Sequence, residues 1–238
     1  MLQNLLLQFD HDNSFRGIQV VITLNLTSED IDLTLFRNIQ AIKIRNPIPI
    51  GFGENHNNAF LLCKTRWFAV LNPDIELTTP NIFSRLISVA KTIPNLAIIA
   101  PRVVNSQLLN EDSVRSNLTP FSLIMRHLFP KSRIEFPAWI SNKDTKFYWL
   151  AGMCMVFNSE AFKAVGGFNK RYFLYCEDYD ISARLYCAGY SLLADKKSMI
   201  IHNAQRASRA DLRYFLWHIS GLMKVWTSTP FWKIVLSI

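Results

Sequence analysis

Three carboxylates fall within four residues at Glu177-Asp178-Tyr179-Asp180, immediately before a stretch that reads as a helix. Like charges this close raise one another's pKa, and a helix N-terminus offsets the repulsion by favouring anions. Such a cluster can supply a general base or bind a cation. It can equally be a helix cap, made by Asp178 or Asp180. The aromatic frame Tyr172-Phe173-Leu174-Tyr175 favours chemistry, because capping needs one acid and no apolar wall. A further acid closes Asn72-Pro73-Asp74, directly after an apolar run. Ligands of open α/β sheets gather outside the carboxyl ends of strands, and Pro73 stiffens the turn that aims Asp74. The same tripeptide is also an ordinary turn. His202 ends Met199-Ile200-Ile201-His202, where it is a candidate metal ligand or a structural histidine at a strand end. Gly51-Phe52-Gly53 precedes a helix but lacks the third glycine and the lysine of a phosphate loop.

The elements that must position these groups follow from hydrophobic spacing. Leu2, Leu5, Leu6 and Phe9 recur at helical intervals, so the chain begins inside a helix. Short apolar or β-branched runs at 18–24, 39–44, 68–71, 96–100, 154–157 and 199–201 predict strands. Helices are expected at 55–63, from Pro80-Asn81 onward, from a Ser159 cap to Gly166-Gly167, and over 179–187. This alternation predicts an α/β fold with a mostly parallel sheet covered on both faces. Residues 105–144 read as a long excursion over the active-site edge. The last stretch, 212–238, alternates aromatic, apolar and basic residues.

Composition narrows the classes. A chain of 238 residues, half hydrophobic and 18% charged, suits one globular domain and excludes disorder. Net charge +8 attracts anions such as nucleotide diphosphates or anionic head groups. No nucleic-acid motif or basic stripe accompanies it, so no nucleic acid is expected. Cys63, Cys154, Cys176 and Cys187 form no CxxC pair and sit among apolar neighbours, as free thiols in a reducing cytoplasm do. The opening segment lacks a basic n-region, and no run approaches ~18 apolar residues, so neither a signal peptide nor a spanning helix is expected.

Four segments, in this order, resemble the family-2 glycosyltransferases, especially a bacterial rhamnosyltransferase-like branch. They are Asn46-Pro47-Ile48-Pro49-Ile50-Gly51-Phe52-Gly53-Glu54-Asn55-His56-Asn57-Asn58, Leu71-Asn72-Pro73-Asp74, Trp149-Leu150-Ala151-Gly152-Met153, and the run from Gly166-Gly167-Phe168-Asn169 through Tyr172 to Asp180. The last continues through Arg184-Leu185 and Ala188-Gly189-Tyr190 to His202. The resemblance spans roughly residues 18–218. It implies a GT-A fold: a Rossmann-like sheet that binds a nucleotide sugar and a divalent cation, Mn or Mg. Asn72-Pro73-Asp74 stands where the family carries Asp-x-Asp, so Asp74 is the implied metal and diphosphate contact. Asp178 matches the base that deprotonates the acceptor hydroxyl in inverting members, with Glu177 beside it. His202 matches a late metal-binding histidine. Gly152 matches a close backbone approach to substrate, and Gly53, Asn58, Asn72, Asp74 and Gly152 are the expected donor-binding positions.

The resemblance also implies a departure. Family members begin with a strand and loop ahead of the first helix, whereas this chain opens in that helix, so the first strand is expected to be missing. The following strand ends Thr23-Leu24-Asn25, without the usual acid-bearing turn. The expected organisation is a GT-A-like domain at 1–211, truncated at its N-terminus, and a helical segment at 212–238. The expected function is transfer of a sugar, with inversion, to a saccharide or lipid-linked saccharide acceptor in bacterial surface polysaccharide biosynthesis. The alternative is a non-catalytic binding or scaffold relative. Arg206, Arg209, Arg213 and Lys224 accompany Phe215, Leu216, Trp217, Leu222, Trp226, Phe231 and Trp232. That mixture suits an interfacial helix at the inner face of the cell membrane, or ordinary core packing.

Overall fold

The computed structural model describes residues 1–26, 28–128, 139–141, 146–203 and 212–236. Arg206, Arg209 and, within the 105–144 excursion, residues 129–138 and 142–144 lie outside the described residues. In chain order the elements are α1 (Leu2–His11), β1 (Gln19–Leu24), β2 (Gln40–Arg45), α2 (Phe52–Phe60), β3 (Trp67–Leu71), β4 (Ile75–Leu77), α3 (Ile82–Ala90) and β5 (Leu96–Val104). They continue as β6 (Val114–Ser116), α4 (Pro120–Leu128), β7 (Trp139–Ser141), β8 (Tyr148–Leu150), β9 (Cys154–Asn158) and α5 (Ser159–Ala164). The chain finishes with α6 (Glu177–Cys187), β10 (Ser191–His202), α7 (Leu212–Trp226) and α8 (Thr229–Leu236).

The central sheet has the order β3-β9-β5-β10-β4, with β7 also paired to β10. β5 and β10 run parallel, but among the described residues they are the one parallel pair of this sheet, which is mixed rather than mostly parallel as expected. β9 lies antiparallel between β3 and β5, and β4 and β7 run against β10. Alternate residues of the central strands feed two cores, one on each face. Ile98, Ala100, Met155, Phe157, Leu192 and Ala194 face one core, under α5, α6, α7 and α8. Ile99, Val103, Cys154, Val156, Leu193 and Ile200 face the other, under α1 and α3. The helices seat there by their spacing: Ile82, Leu86 and Ala90 of α3 recur every four residues and are all buried.

Several boundaries shift for local reasons. α2 opens at Phe52, three residues early, because Gly51 lets its backbone meet the 172–173 turn and Phe52 N donates to Phe173 O at 2.8 Å. A Cβ on Gly51 would lie 2.8 Å from that same carbonyl oxygen. Asn158, not Ser159, caps α5, its side chain accepting from Glu160 N and Ala161 N. The Ser159 hydroxyl instead donates to Thr65 O at 2.7 Å. All four cysteines are free.

β1 and β2 form a separate parallel pair. Every residue of β1 and of β3 lines one cavity of about 1390 Å³. A strand face would present alternate residues only, so this cavity runs along the edges of both strands. The β1–β2 pair therefore reaches the main sheet through helices and side chains rather than through a shared ladder. Asn25 Nδ2 donates to Ile50 O at 3.0 Å, and Asn46 Nδ2 donates to both Asn25 Oδ1 and Asn55 Oδ1. These bonds tie the carboxyl end of β1 to the start of α2.

Candidate active site

The carboxyl ends of β3, β5 and β10 meet the start of β9, and the chemistry-bearing residues lie there. β4 doubles back on β10 with Ile75 opposite His202, and Asn203 N donates to Asp74 O at 2.8 Å. That register sets Asp74 beside His202. The imidazole Nε2 lies 3.3 Å from Asp74 Oδ2, and Nδ1 lies 2.6 Å from Glu111 Oε2. Burial alone would depress the His202 pKa, but hydrogen bonds to Asp74 and Glu111, and their charges, carry it above the ordinary value. The other oxygen of Asp74, Oδ1, is buried without a hydrogen-bond partner. A buried carboxylate oxygen left bare is costly unless something positive completes it. Among the described residues no group of three or more His, Cys, Asp and Glu is arranged to hold a metal ion by itself.

A second cluster sits at the N-terminus of α6. Tyr175 and Cys176 both take left-handed backbone, with φ of 70° and 66°. Non-glycine residues rarely adopt this conformation, and such strain concentrates at working sites. Cys176 provides no side-chain cap. Asp178 Oδ2 accepts from Gly152 N at 3.0 Å and Oδ1 accepts from Tyr179 N at 2.9 Å. Glu177 is 5% exposed, and its Oε2 has no partner. Asp180 pairs with Arg184 at 2.7 Å, and Arg184 NH2 donates to Gly167 O, so this third acid braces the Gly166-Gly167-Phe168 turn.

Burial raises both acids, and the charge of Asp178 raises Glu177 further, to about 8. At Asp178, Arg115 and the Gly152 and Tyr179 amides act against that rise by favouring the anion. The two acids therefore titrate as a pair, with burial raising both. This has a consequence for stability. An acid whose folded pKa lies above its unfolded value of about 4.3 binds protons more tightly when folded, so stability falls as pH rises between the two values. Raising the pH from 5.5 to 8.5 is expected to lower stability by about 3 kcal/mol through this group. Glu177→Gln should flatten that slope in urea unfolding, and an unchanged slope would remove Glu177 as its source.

Two backbone links bring the clusters together. Asn72 N donates to Met153 O at 3.0 Å, and Ala151 N donates to Ser113 O at 2.9 Å. They bracket Gly152, so Asp178 adjoins both the Asn72–Asp74 turn and the segment bearing Glu111. Asn72, Asp74, Gly152, Glu177, Asp178 and His202 therefore share one edge of the sheet. Gly53 and Asn58 lie apart from these contacts, on α2. A Cβ on Gly53 would stand 2.6 Å from Phe168 Cβ, which makes Gly53 a packing position. Asn57, the neighbour of Asn58, pins Phe168 by its backbone N and O.

Sequence reasoning missed Glu111, Arg115 and His218. Arg115 stacks over Trp149 at 4.9 Å and bonds Asp112, while His218 of α7 lies 5.5 Å from the Tyr175 ring. None stands in a motif. The fold brings them to the site by different routes: Glu111 by the turn after β5, Arg115 on β6 and His218 on α7.

Comparison with known proteins adds class to geometry. Rhamnosyltransferase WbbL of Escherichia coli (strain K12) is 26% identical over 182 residues, covering 73% of this chain and 69% of WbbL. The N-acetylglucosaminyl-diphospho-decaprenol L-rhamnosyltransferase of Mycobacterium tuberculosis (strain ATCC 25618 / H37Rv) is 26% identical over 158 residues. This second match covers 61% of this chain, which spans about half, 49%, of that relative's length. Among solved structures, S. aureus TarS 1-349 with UDP-GlcNAc superposes with a TM-score of 0.59 at 10% identity, over 96% of this chain and 63% of that one. GalNAc-T7 with UDP, GalNAc and Mn2+ gives 0.59 at 14% identity, over 81% of this chain and 38% of that one. No family model matches. The fold is that of the GT-A glycosyltransferases. Within that class its sequence is similar, at 26% identity, to the two rhamnosyltransferases named above.

Proposed function

We propose that the chain is an inverting, metal-dependent glycosyltransferase that moves a sugar from a nucleotide-sugar donor to a saccharide or lipid-linked saccharide acceptor in surface polysaccharide biosynthesis. The observation that carries this reading is Asp178, held by the Gly152 amide, on the same sheet edge as the Asp74–His202 pair, with Met153 O bonded to Asn72 N between them. Asp178 takes the proton of the attacking acceptor hydroxyl, and its two backbone donors fix the direction in which it does so. Glu177 lies buried next to the base in sequence, with its Oε2 unpartnered. No further carboxylate is assigned as nucleophile, which suits a single displacement with inversion.

The bare Asp74 Oδ1, the neighbouring Oδ2 and the His202 imidazole are a donor set of hard oxygens and one nitrogen, which fits Mn or Mg. Asp74 and His202 would hold the cation, with the donor's phosphates as further ligands. When bound, it neutralises charge on the departing nucleoside diphosphate. Asn72 and Gly152 flank that position and are the proposed donor contacts, with Gly53 and Asn58 shaping α2 beneath. A screen of nucleotide sugars for donor hydrolysis, with Mn²⁺ or Mg²⁺, tests the reading, a rhamnose-bearing deoxythymidine diphosphate included. The expected result is turnover of one donor that stops when the cation is chelated. Failure of every donor to bind would favour the scaffold alternative.

The C-terminal helices support a peripheral membrane position. No described helix is long and apolar enough to cross a membrane. α7 divides along its length: Leu222 and Val225 enter the core with Phe231 and Ile234 of α8, while Leu212, Phe215, Leu216, Ile219 and Met223 are exposed. Trp226 Nε1 donates to Leu118 O, which sets α7 beside the start of α4, where Phe121, Ile124 and Leu128 are also exposed. Apolar ridges on a chain of charge +8 suit an anionic interface. Sedimentation with anionic liposomes is expected, falling as salt rises. Phe215→Ser with Leu216→Ser should weaken it at least several-fold, and these exposed positions leave the core intact. Binding that survives both substitutions would overturn the interfacial reading of α7.

A further inference from the structure

We propose that Glu111 is a positioning residue for His202, an inference that rests on the metal-site reading above. Glu111 stands 91 residues before the histidine in sequence, yet its Oε2 lies 2.6 Å from Nδ1. Its position is built rather than incidental. β5 ends at Val104, and the chain turns back on itself through Asn105, whose side chain accepts from Gln107 N and Leu109 N. Val104 bridges Asn110, Arg102 Nε donates to Asn110 Oδ1 at 2.6 Å, and Glu111 N donates to Val103 O at 2.9 Å. Parallel pairing of β10 with β5 sets Ile201 beside Val104, so His202 arrives directly against this turn.

The chemistry follows from which ring nitrogen each acid meets. A carboxylate on Nδ1 holds a proton there, and the Nε2 lone pair is then directed at the Asp74 side. Without Glu111 the ring could rotate about its side-chain bond or place its proton on Nε2, and either change removes the nitrogen from the cation. Glu76 does not replace Glu111, since its nearest described partner is Asn203 at 3.5 Å. Glu111 thus orients a ligand and makes it more basic without touching the reacting atoms.

The test uses the whole chain and Mn²⁺ as probe, read by electron paramagnetic resonance rather than by turnover. Free-ion signal gives affinity, and pulsed measurement of ¹⁴N coupling reports an imidazole bound to Mn²⁺. Wild type should show the nitrogen coupling, and His202→Ala should lose it. Glu111→Ala should bind Mn²⁺ about 10–100-fold more weakly with reduced coupling, the range for groups behind a metal ligand. Glu111→Gln, which keeps the shape and a hydrogen-bond acceptor, should keep the coupling with only a few-fold loss of affinity. Equal affinity and coupling in wild type and both Glu111 variants, with His202→Ala still different, would overturn the positioning role and leave the metal reading standing. Identical behaviour of wild type and His202→Ala would overturn the metal reading and this proposal together. A Glu111→Ala chain that does not fold leaves the Gln variant to decide, where coupling as weak as in His202→Ala would count against orientation by hydrogen bonding.

Discussion

Replacing Asp178 with asparagine should reduce sugar transfer by about 10²–10⁴-fold, the range that a positioned base contributes, while donor affinity stays near wild type. The expectation rests on what the substitution changes and what it keeps. Asparagine retains the volume and one oxygen, so the Gly152 amide, 3.0 Å from Asp178 Oδ2, keeps an acceptor. The bond from Tyr179 N to Oδ1 is the one placed at risk, because the amide nitrogen now faces a donor. Removing a buried negative charge from beside Glu177 offsets that loss. Single-turnover transfer and nucleotide-sugar titration, run on the same preparation, separate chemistry from binding. Transfer within about tenfold of wild type would show that another group takes the proton. An equal fall in donor affinity would assign Asp178 to binding instead.

The sheet was legible wherever strands are short, apolar and bounded by turn residues. β1, β2, β3 and β9 answer to runs of β-branched or aromatic residues, and α1 and α3 to helical spacing with one buried face. β10 was legible only at its end. It carries Asp195-Lys196-Lys197-Ser198 in its middle, where the register slips between Asp195 and Met199. Asp195 accepts from Lys197 N and from the Ser198 hydroxyl there, so the polar insertion is a bulge with its own hydrogen bonds. β4 and β6 are three residues each and exist because a partner strand, the long β10 for β4 and the equally short β8 for β6, meets them, a tertiary cause that spacing does not carry. The site divides in the same way. Asp74, Glu177, Asp178 and His202 stand in motifs whose residue types announce chemistry. Glu111 stands in an unpatterned stretch, and its role depends on a turn that only the pairing of β5 with β10 gives meaning. The three-acid cluster was ambiguous between capping and chemistry, and the contacts divide it: Asp180 pairs with Arg184 and braces a turn, while Asp178 accepts from two backbone amides and Glu177 Oε2 has no partner.

Asp74→Ala is expected to weaken Mn²⁺ binding in the presence of the donor by at least about 100-fold, beyond the range for groups behind a ligand, and to abolish cation-dependent donor affinity. His202→Ala should act in the same direction and less severely, by about tenfold, because a water can take the place of one nitrogen but cannot supply a carboxylate's charge. Stability should move the other way. The turn that carries Asp74 is held by its backbone oxygen, which accepts from Asn203 N and is untouched by the change. The side chain contributes one contact, at 3.3 Å to His202, and one buried oxygen with no partner. Removing an unsatisfied buried acceptor relieves its desolvation penalty, typically about 1–3 kcal/mol, so the variant should unfold at an equal or higher temperature. A residue kept for packing would give the opposite pairing, with lower stability and unchanged metal affinity. Calorimetric titration of Mn²⁺ and thermal unfolding of the same two variants therefore decide between the roles. Unchanged Mn²⁺ affinity in Asp74→Ala would sink the metal-site reading, whatever the unfolding temperature shows.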